Sequence, residues 1–269
     1  MNILRGSLAV FLFECRRSMT PSRIACWLVL VLFPPAIFGL LVFYDMDLGS
    51  NAQSPISDSV ARERLWISLT YATVPLVMSL LALLLWATPT VYTELEGKTW
   101  IYLAVRPSGR DVVLLGKYLA AVAWSMAAAW LGLTFTMAII AGELSQPITV
   151  WLALSVLVVI SCISYGALYC FIGVLFRRRA MAIAVSYTLI FEFLFSMVPA
   201  LINKITVQHR MLSLLDTWLD MGDQLRVSGV IGDEPVWLHV CILGIYTGCL
   251  LIASSVTLRM REHITAEET

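Results

Sequence analysis

Six long apolar stretches, separated by short charged segments, constrain this chain more than any other feature of its sequence. Each is near the roughly 20 residues that an α-helix needs to cross about 30 Å of hydrocarbon. Only 13% of the 269 residues are charged, against about 25% in an average soluble domain. We therefore predict a single all-α membrane domain over residues 1–269, with six transmembrane helices at 24–44, 67–92, 118–141, 149–176, 180–202 and 236–258.

Residues 1–20 predict an additional helix before the first span. Apolar side chains recur on one helical face, at Leu8, Leu12 and Met19 among others, while Arg16 and Arg17 lie elsewhere. This spacing is typical of an amphipathic helix that lies in the membrane interface.

A short helix is also predicted in the segment before the sixth span. Met211, Leu215 and Trp218 fall on one face of this helix. We expect it to rest on the outer membrane surface, with its acidic face in solvent. His209 near these acids is compatible with a cation site, although a solvated face is the simpler interpretation. The acidic face consists of Asp216, Asp220 and Asp223.

The distribution of basic residues predicts the orientation of the chain. Thirteen of the 18 Lys and Arg residues fall on the side that holds both termini, including the Arg177-Arg178-Arg179 turn. The positive-inside rule therefore puts both termini in the cytoplasm. We expect a multi-pass protein of a bacterial plasma membrane. The formal net charge is zero, so the charge total does not favour a nucleic-acid partner.

The stretch 93–117 is the longest charged interruption among the spans. Thr93 with Glu96, and Ser108 with Asp111, fit the capping box that begins a helix. Pro107 disfavours helical geometry at the residue before it, so a turn is expected between the two helix starts. The stretch thus predicts a short cytoplasmic helix, a turn and the start of the third span.

Catalytic motifs are absent from the sequence. There is no G-x-x-x-x-G-K-[ST], no H-E-x-x-H and no G-x-S-x-G, and the chain has three histidines. We therefore predict that this chain is not an enzyme and binds no nucleotide or metal. The six cysteines lie in or beside apolar segments, which favours small core residues over a soft-metal site.

Glu192 is an acid inside the apolar stretch 180–202. An ionised acid at this depth costs about 2.5–3.5 kcal/mol, so the side chain requires a partner, a cavity or an interface. Ser186, Tyr187 and Ser196 are the expected hydrogen-bonding partners. Two interpretations stay open: a structural carboxyl group, or a contact for a substrate or proton.

The charged stretch resembles the loop after the second span in ABC-2 type transporter permeases. The resemblance lies in Glu94-Leu-Glu-Gly-Lys-Thr99, Leu103, Arg106-Pro107-Ser-Gly-Arg110 and Leu114-Leu-Gly-Lys117. Lys98 departs from the family pattern by separating Gly97 from Thr99, and Gly109 replaces a small polar residue. The six spans, cytoplasmic termini and interfacial helix extend the resemblance over most of the chain.

The resemblance implies a permease subunit of an ATP-driven exporter. A second permease subunit, identical or different, would complete the pathway, and a pair of separate ATPase subunits would bind ATP and Mg²⁺ beneath it. The motif G-x-x-x-G at Gly244 and Gly248 agrees with helix packing within or between subunits. The residues that would meet the ATPase are Glu94, Glu96, Gly97, Thr99, Arg106 and Arg110.

Three alternatives remain at this point. The helix in the stretch 93–117 could lie among lipid headgroups through Trp100 and Tyr102, since aromatic side chains favour the membrane interface. The chain could be an ion-coupled carrier that uses Glu192. It could also be a membrane scaffold that transports nothing.

Overall fold

The structure is a computed structural model that describes residues 3–49, 59–89, 109–176, 179–194, 206–219, 221 and 235–267. All regular secondary structure in these segments is helical. Within these described segments, five helices are long and apolar enough to cross a membrane, which is typical of a multi-pass integral membrane protein. They are Pro21–Tyr44, Val60–Trp86, Gly109–Glu143, Pro147–Leu175 and Val236–Met260.

The predicted N-terminal helix is present as α1, Ile3–Arg17. Its polar Ser7 and Glu14 are buried against the protein, whereas apolar Leu8 and Leu12 are exposed. The apolar face of α1 therefore points away from the other helices, as a helix in the membrane interface requires.

The next helix, α2, begins at a proline and continues through two others. It runs from Pro21 to Gly49, with Pro34 and Pro35 inside. Trp27 of α2 donates a hydrogen bond to the carbonyl oxygen of Trp124 at 3.2 Å, and the two rings meet edge to face. These contacts pack α2 against the third span.

The second span begins earlier than the predicted residue 67. It consists of α3, Ser59–Tyr71, a π-helical segment, Ala72–Met78, and α4, Ser79–Trp86. The prediction was wrong at this end because charged residues suggested a loop, whereas the structure pairs them. Arg62 lies 3.0 Å from Glu143, and Glu63 accepts a hydrogen bond from the backbone of Ser145.

The third and fourth spans form the centre of the core. They are α5, Gly109–Ile140, and α6, Pro147–Leu175. The small residues Ala121, Ser125 and Ala129 recur at four-residue spacing along α5 and are buried inside this chain. They allow neighbouring helices to approach closely within the subunit.

The predicted fifth span is described only in part. The structure shows α7, Ala180–Tyr187, followed by a π-helical segment, Thr188–Leu194. The last helix, α9, extends from Val236 to Glu267. Its Gly244 and Gly248 have no other atom within 4 Å of an added Cβ, so this G-x-x-x-G motif packs against nothing described in the subunit.

The predicted outer helix is present as α8, Val207–Leu219, but its predicted environment was wrong. Asp216 is only 2% exposed and His209 only 5%, so neither belongs to a solvated face. The helix packs against α6 and α9. Its Arg210 lies 3.2 Å from His239 of α9, while Asp220 and Asp223 lie outside the described residues.

The cysteines do not all belong to the core. Cys162 and Cys170 are buried as predicted, whereas Cys26, Cys241 and Cys249 are exposed. The three exposed cysteines lie on α2 and α9, whose apolar outer faces meet no other described helix of the chain. The core interpretation was therefore wrong for these three.

Candidate functional site: a buried glutamate and tyrosine cluster

Glu192 lies in the π-helical segment that follows α7, and it is 1% exposed. The hydroxyl of Tyr165, from α6, donates a hydrogen bond to its Oε2 atom at 2.7 Å. The backbone N–H of Gln208, in the first turn of α8, donates a second hydrogen bond to the same carboxyl group. Two distant helices therefore meet at this side chain.

The beginning of α8 lies deep among the spans. The hydroxyl of Tyr71 donates to the backbone oxygen of Gln208 at 3.5 Å, and Tyr71 is near the middle of the span Val60–Trp86. Because a helix begins with unpaired N–H groups and a partial positive charge, this position suits a carboxylate. Glu192 thus accepts a hydrogen bond from a backbone N–H group in the first turn of α8, a helix that begins within the membrane-spanning region.

Other tyrosines surround this contact. The hydroxyls of Tyr169 and Thr188 lie 2.6 Å apart, and those of Tyr187 and Tyr246 are hydrogen-bonded to each other. Together these residues connect α6, α7 and α9. We call the following set the tyrosine cluster: Tyr71, Tyr165, Tyr169, Tyr187, Tyr246, Thr188 and Glu192.

Both π-helical segments are associated with the tyrosine cluster: the first begins directly after Tyr71, and the second contains Thr188 and Glu192. In the first, Pro75 has no N–H group to donate, which disturbs the regular hydrogen bonding of the helix. Ser161 of α6 donates to the carbonyl oxygen of Pro75 at 2.7 Å. In the second, Thr188 donates to the carbonyl oxygen of Ala184 at 2.9 Å. Local π-helical turns are frequent at functional sites.

The hydrogen bonds of Glu192 are sufficient to hold it in place. Its burial as an ion costs about 2.5–3.5 kcal/mol, while a hydrogen bond to a charged group contributes about 1.5–3 kcal/mol. Two such bonds offset the cost. Chemically, the carboxyl group and the tyrosine hydroxyls form a set of groups that can accept, donate and exchange protons. Among the described residues, no group of three or more His, Cys, Asp or Glu could hold a metal ion.

Of the three partners predicted for Glu192, Ser186 and Tyr187 were wrong, and Ser196 stays a prediction. Ser186 is exposed, Tyr187 is hydrogen-bonded to Tyr246, and Ser196 lies outside the described residues. The true partner, Tyr165, comes from another span. The only sequence signal for it was the pair Tyr165 and Tyr169, whose spacing puts two hydroxyls on one face of an apolar helix.

A second group of contacts surrounds the start of α5, directly after the predicted coupling loop. Asp111 accepts a hydrogen bond from Ser255 of α9 at 2.6 Å and forms an ion pair with Arg259. Arg110, the second residue of α5, is half-buried beside it. Ser108, the other half of the predicted capping box, lies outside the described residues.

The helix α1 contacts the same end of α5. Lys117, only 3% exposed, lies 2.8 Å from the carboxyl group of Glu14. A Cβ atom added at Gly116 would lie 2.7 Å from the Cβ of Val10. We call the contacts of Asp111, Gly116 and Lys117 with α1 and α9 the α5 junction.

Of the residues predicted to meet an ATPase, only Arg110 is described. The other five are outside the described part of the chain, so their role stays a prediction. They are Glu94, Glu96, Gly97, Thr99 and Arg106.

No protein-family profile matches the chain, and no characterised protein matches it at a significant level. The functional argument therefore rests on the chain's own residues: the tyrosine cluster within the spans, and the α5 junction at their end.

Proposed function

We propose that this chain is the membrane-spanning permease subunit of an ATP-binding cassette exporter. Two permease subunits form the pathway, and separate ATPase subunits bind and hydrolyse ATP. The loop 93–108 and the start of α5 form the surface on which the ATPase acts. Both termini lie in the cytoplasm of a bacterial cell.

The α5 junction is the observation that carries this proposal. The loop 93–108 leads directly into α5, and the first turns of α5 contact both α1 and α9. Lys117 holds α1 through Glu14, and Asp111 holds α9 through Arg259. A force applied to the loop is therefore transmitted to three helices at once, as domain motion driven by a partner requires.

The proposal predicts that a soluble P-loop ATPase is encoded beside this chain, and purification of the two proteins together tests it. Replacing Glu94 and Glu96 with Ala is expected to reduce recovery of the complex, or to leave ATP hydrolysis unaffected by the permease. Replacing Glu267 and Glu268 with Ala is the matched control, since it removes the same charge from the same predicted side. Equal recovery and equal ATPase stimulation for both variants would refute the proposed surface.

The tyrosine cluster favours a second candidate, an ion-coupled carrier. A buried carboxyl group near mid-membrane, surrounded by hydroxyls, is a common feature of proton pathways. Such a carrier would conduct protons in liposomes that contain this chain alone, and Glu192→Gln would abolish the flux. A pH-sensitive dye distinguishes the candidates, because the permease proposal expects no proton flux without the ATPase.

A further inference from the structure

A groove lies between α5 and α9, at the end of the spans where α5 begins. It has a volume of about 390 Å³, within the range of about 300–1,000 Å³ that small-molecule sites usually have. Its polar lining is Asp111, Ser255 and Arg259. The rest of its lining is aliphatic and consists of Leu114, Leu115, Leu251, Ile252 and Val256. We call it the α5–α9 groove.

The polar and aliphatic parts of the groove are separated along the two helices. Asp111 is in the first turn of the span Gly109–Glu143. On the other helix, the span Val236–Met260 ends one residue after Arg259. Leu251 precedes Arg259 by eight residues, which is about 12 Å at 1.5 Å per residue. The polar part therefore lies at the level of the lipid headgroups, and the aliphatic part lies within the hydrocarbon.

The polar end of the groove holds an ion pair that stays open to its surroundings. Arg259 pairs with Asp111, yet their side chains are 62% and 27% exposed. Asp111 accepts two hydrogen bonds, one from Ser255 at 2.6 Å and one from Arg259. A carboxylate has about four acceptor positions and a guanidinium five N–H donors. Each member of the pair thus has capacity for a further partner of opposite charge.

The ion pair presents a cation and an anion side by side. A headgroup that carries both a phosphate and an ammonium group complements it, because each charge meets its opposite. A primary ammonium has three N–H donors for a carboxylate, whereas a quaternary ammonium has none. An anionic headgroup could use Arg259 but would bring its charge close to that of Asp111. Arg110 also interacts electrostatically with Asp111, but it does not line the groove.

We propose that the α5–α9 groove binds phosphatidylethanolamine. The phosphate oxygens accept hydrogen bonds from Arg259, and the ammonium group donates to Asp111. One acyl chain lies along the aliphatic lining between the two helices. The lipid therefore connects the first turn of α5 to α9 beside the existing ion pair. Its binding requires neither an ATPase nor a second subunit.

Native mass spectrometry of the purified, detergent-solubilised chain measures which lipid is retained. The probes are phosphatidylethanolamine, phosphatidylcholine and phosphatidylglycerol with the same acyl chains. Phosphatidylcholine keeps both charges but lacks the N–H donors, so it is expected to bind about tenfold or more weakly, as the loss of a charge-assisted hydrogen bond predicts. Phosphatidylglycerol lacks the cation and is also expected to bind more weakly. Phosphatidylethanolamine is expected to raise the unfolding temperature most.

Two variants and a matched control test the assigned contacts. Asp111→Asn is expected to remove the preference for phosphatidylethanolamine over phosphatidylglycerol. Arg259→Gln is expected to weaken the binding of all three lipids, because each contains a phosphate. Glu143→Gln is the control, since Glu143 also forms an exposed ion pair, with Arg62, but does not line the groove; retention is expected to be unchanged. Far-ultraviolet circular dichroism verifies folding, and the lipid comparison on the unaltered chain decides the outcome for any variant that does not fold.

Four outcomes would overturn the proposal. Equal retention of phosphatidylethanolamine and phosphatidylcholine by the unaltered chain would exclude hydrogen bonding to the ammonium group. Preferential retention of phosphatidylglycerol would mean general attraction to basic residues. Equal changes in Asp111→Asn and Glu143→Gln would show that the ion pair in the groove has no special role. If soluble phosphorylethanolamine at millimolar concentration raises the unfolding temperature as much as the lipid does, the ligand is not a lipid.

Discussion

Gly116→Ala is the most direct test of how α1 packs on the α5 junction. An added Cβ would lie 2.7 Å from the Cβ of Val10 and 2.8 Å from the backbone oxygen of Ser7. Neither atom is the end of a flexible side chain, so α1 must shift as a whole. Overpacking of this kind costs about 1–3 kcal/mol.

Thermal unfolding in detergent measures this cost. For a chain of this size, each kcal/mol lowers the unfolding temperature by about 2–4 °C, so Gly116→Ala is expected to lower it by about 2–12 °C. Gly39→Ala and Gly244→Ala are matched controls, because nothing lies within 4 Å of a Cβ added at either position. Since Ala favours helix more than Gly by up to about 1 kcal/mol, both controls are expected to be neutral or stabilising.

Labelling of Cys15 with a maleimide tests the movement of α1 itself. Cys15 lies on α1 beside Glu14, and both its burial and this neighbouring carboxylate raise the pKa of the thiol. Its thiolate is therefore scarce and its reaction slow. In a variant that retains only this cysteine, Gly116→Ala is expected to accelerate labelling. Unchanged labelling together with an unfolding temperature equal to that of Gly39→Ala would refute the close packing of α1.

Three further predictions concern the polar contacts. Glu192→Ala leaves the Tyr165 hydroxyl and the Gln208 N–H without their acceptor. At about 1–3 kcal/mol for each unpaired donor, the change is expected to destabilise the chain by about 2–6 kcal/mol. Thermal unfolding checks this, and wild-type stability would contradict it. Lys117→Met removes the cation beside the buried carboxylate of Glu14 and is expected to lower the free energy of unfolding by about 3 kcal/mol. Adding Glu14→Gln in the same chain is expected to restore most of this loss. If the two substitutions lower the free energy of unfolding additively, the two side chains do not form a direct pair. Arg259→Gln removes an ion pair whose arginine is 62% exposed and is expected to cost less than about 1 kcal/mol; a larger loss by thermal unfolding would show that Arg259 contributes more than this exposed pair.

Five of the predicted spans could be recognised from sequence because length and apolar composition leave a helix few alternatives to crossing a membrane. The beginning of the second span could not, since Arg62 and Glu63 look like loop residues until their partners after α5 are known. The buried position of α8 was also not predicted, because the groups that contact it are known only from the folded structure. An amphipathic pattern has the same appearance whether its polar face meets water or buried polar groups.

In the candidate site too, some features could be predicted from the sequence and others could not. Glu192 could be identified because an acid in an apolar stretch requires an explanation. Its partners could not, because Tyr165 and Gln208 approach it only through the packing of α6 and α8. Likewise, Gly116 and Lys117 were recognised as part of a motif, but their contact with α1 depends on a helix about a hundred residues earlier in the chain.

The helix α9 connects the two sites that the structure describes. Its Arg259 contacts Asp111 in the α5 junction, its Tyr246 is hydrogen-bonded to Tyr187 in the tyrosine cluster, and its His239 lies 3.2 Å from Arg210 of α8. Only 17% of the most apolar stretch of α9 is buried, but Leu243 and Leu258 of this helix belong to the hydrophobic core. Apolar packing and polar contacts together therefore hold α9 in place. A change at the junction that displaces α9 must also alter its contacts with α8, whose first turn holds Glu192.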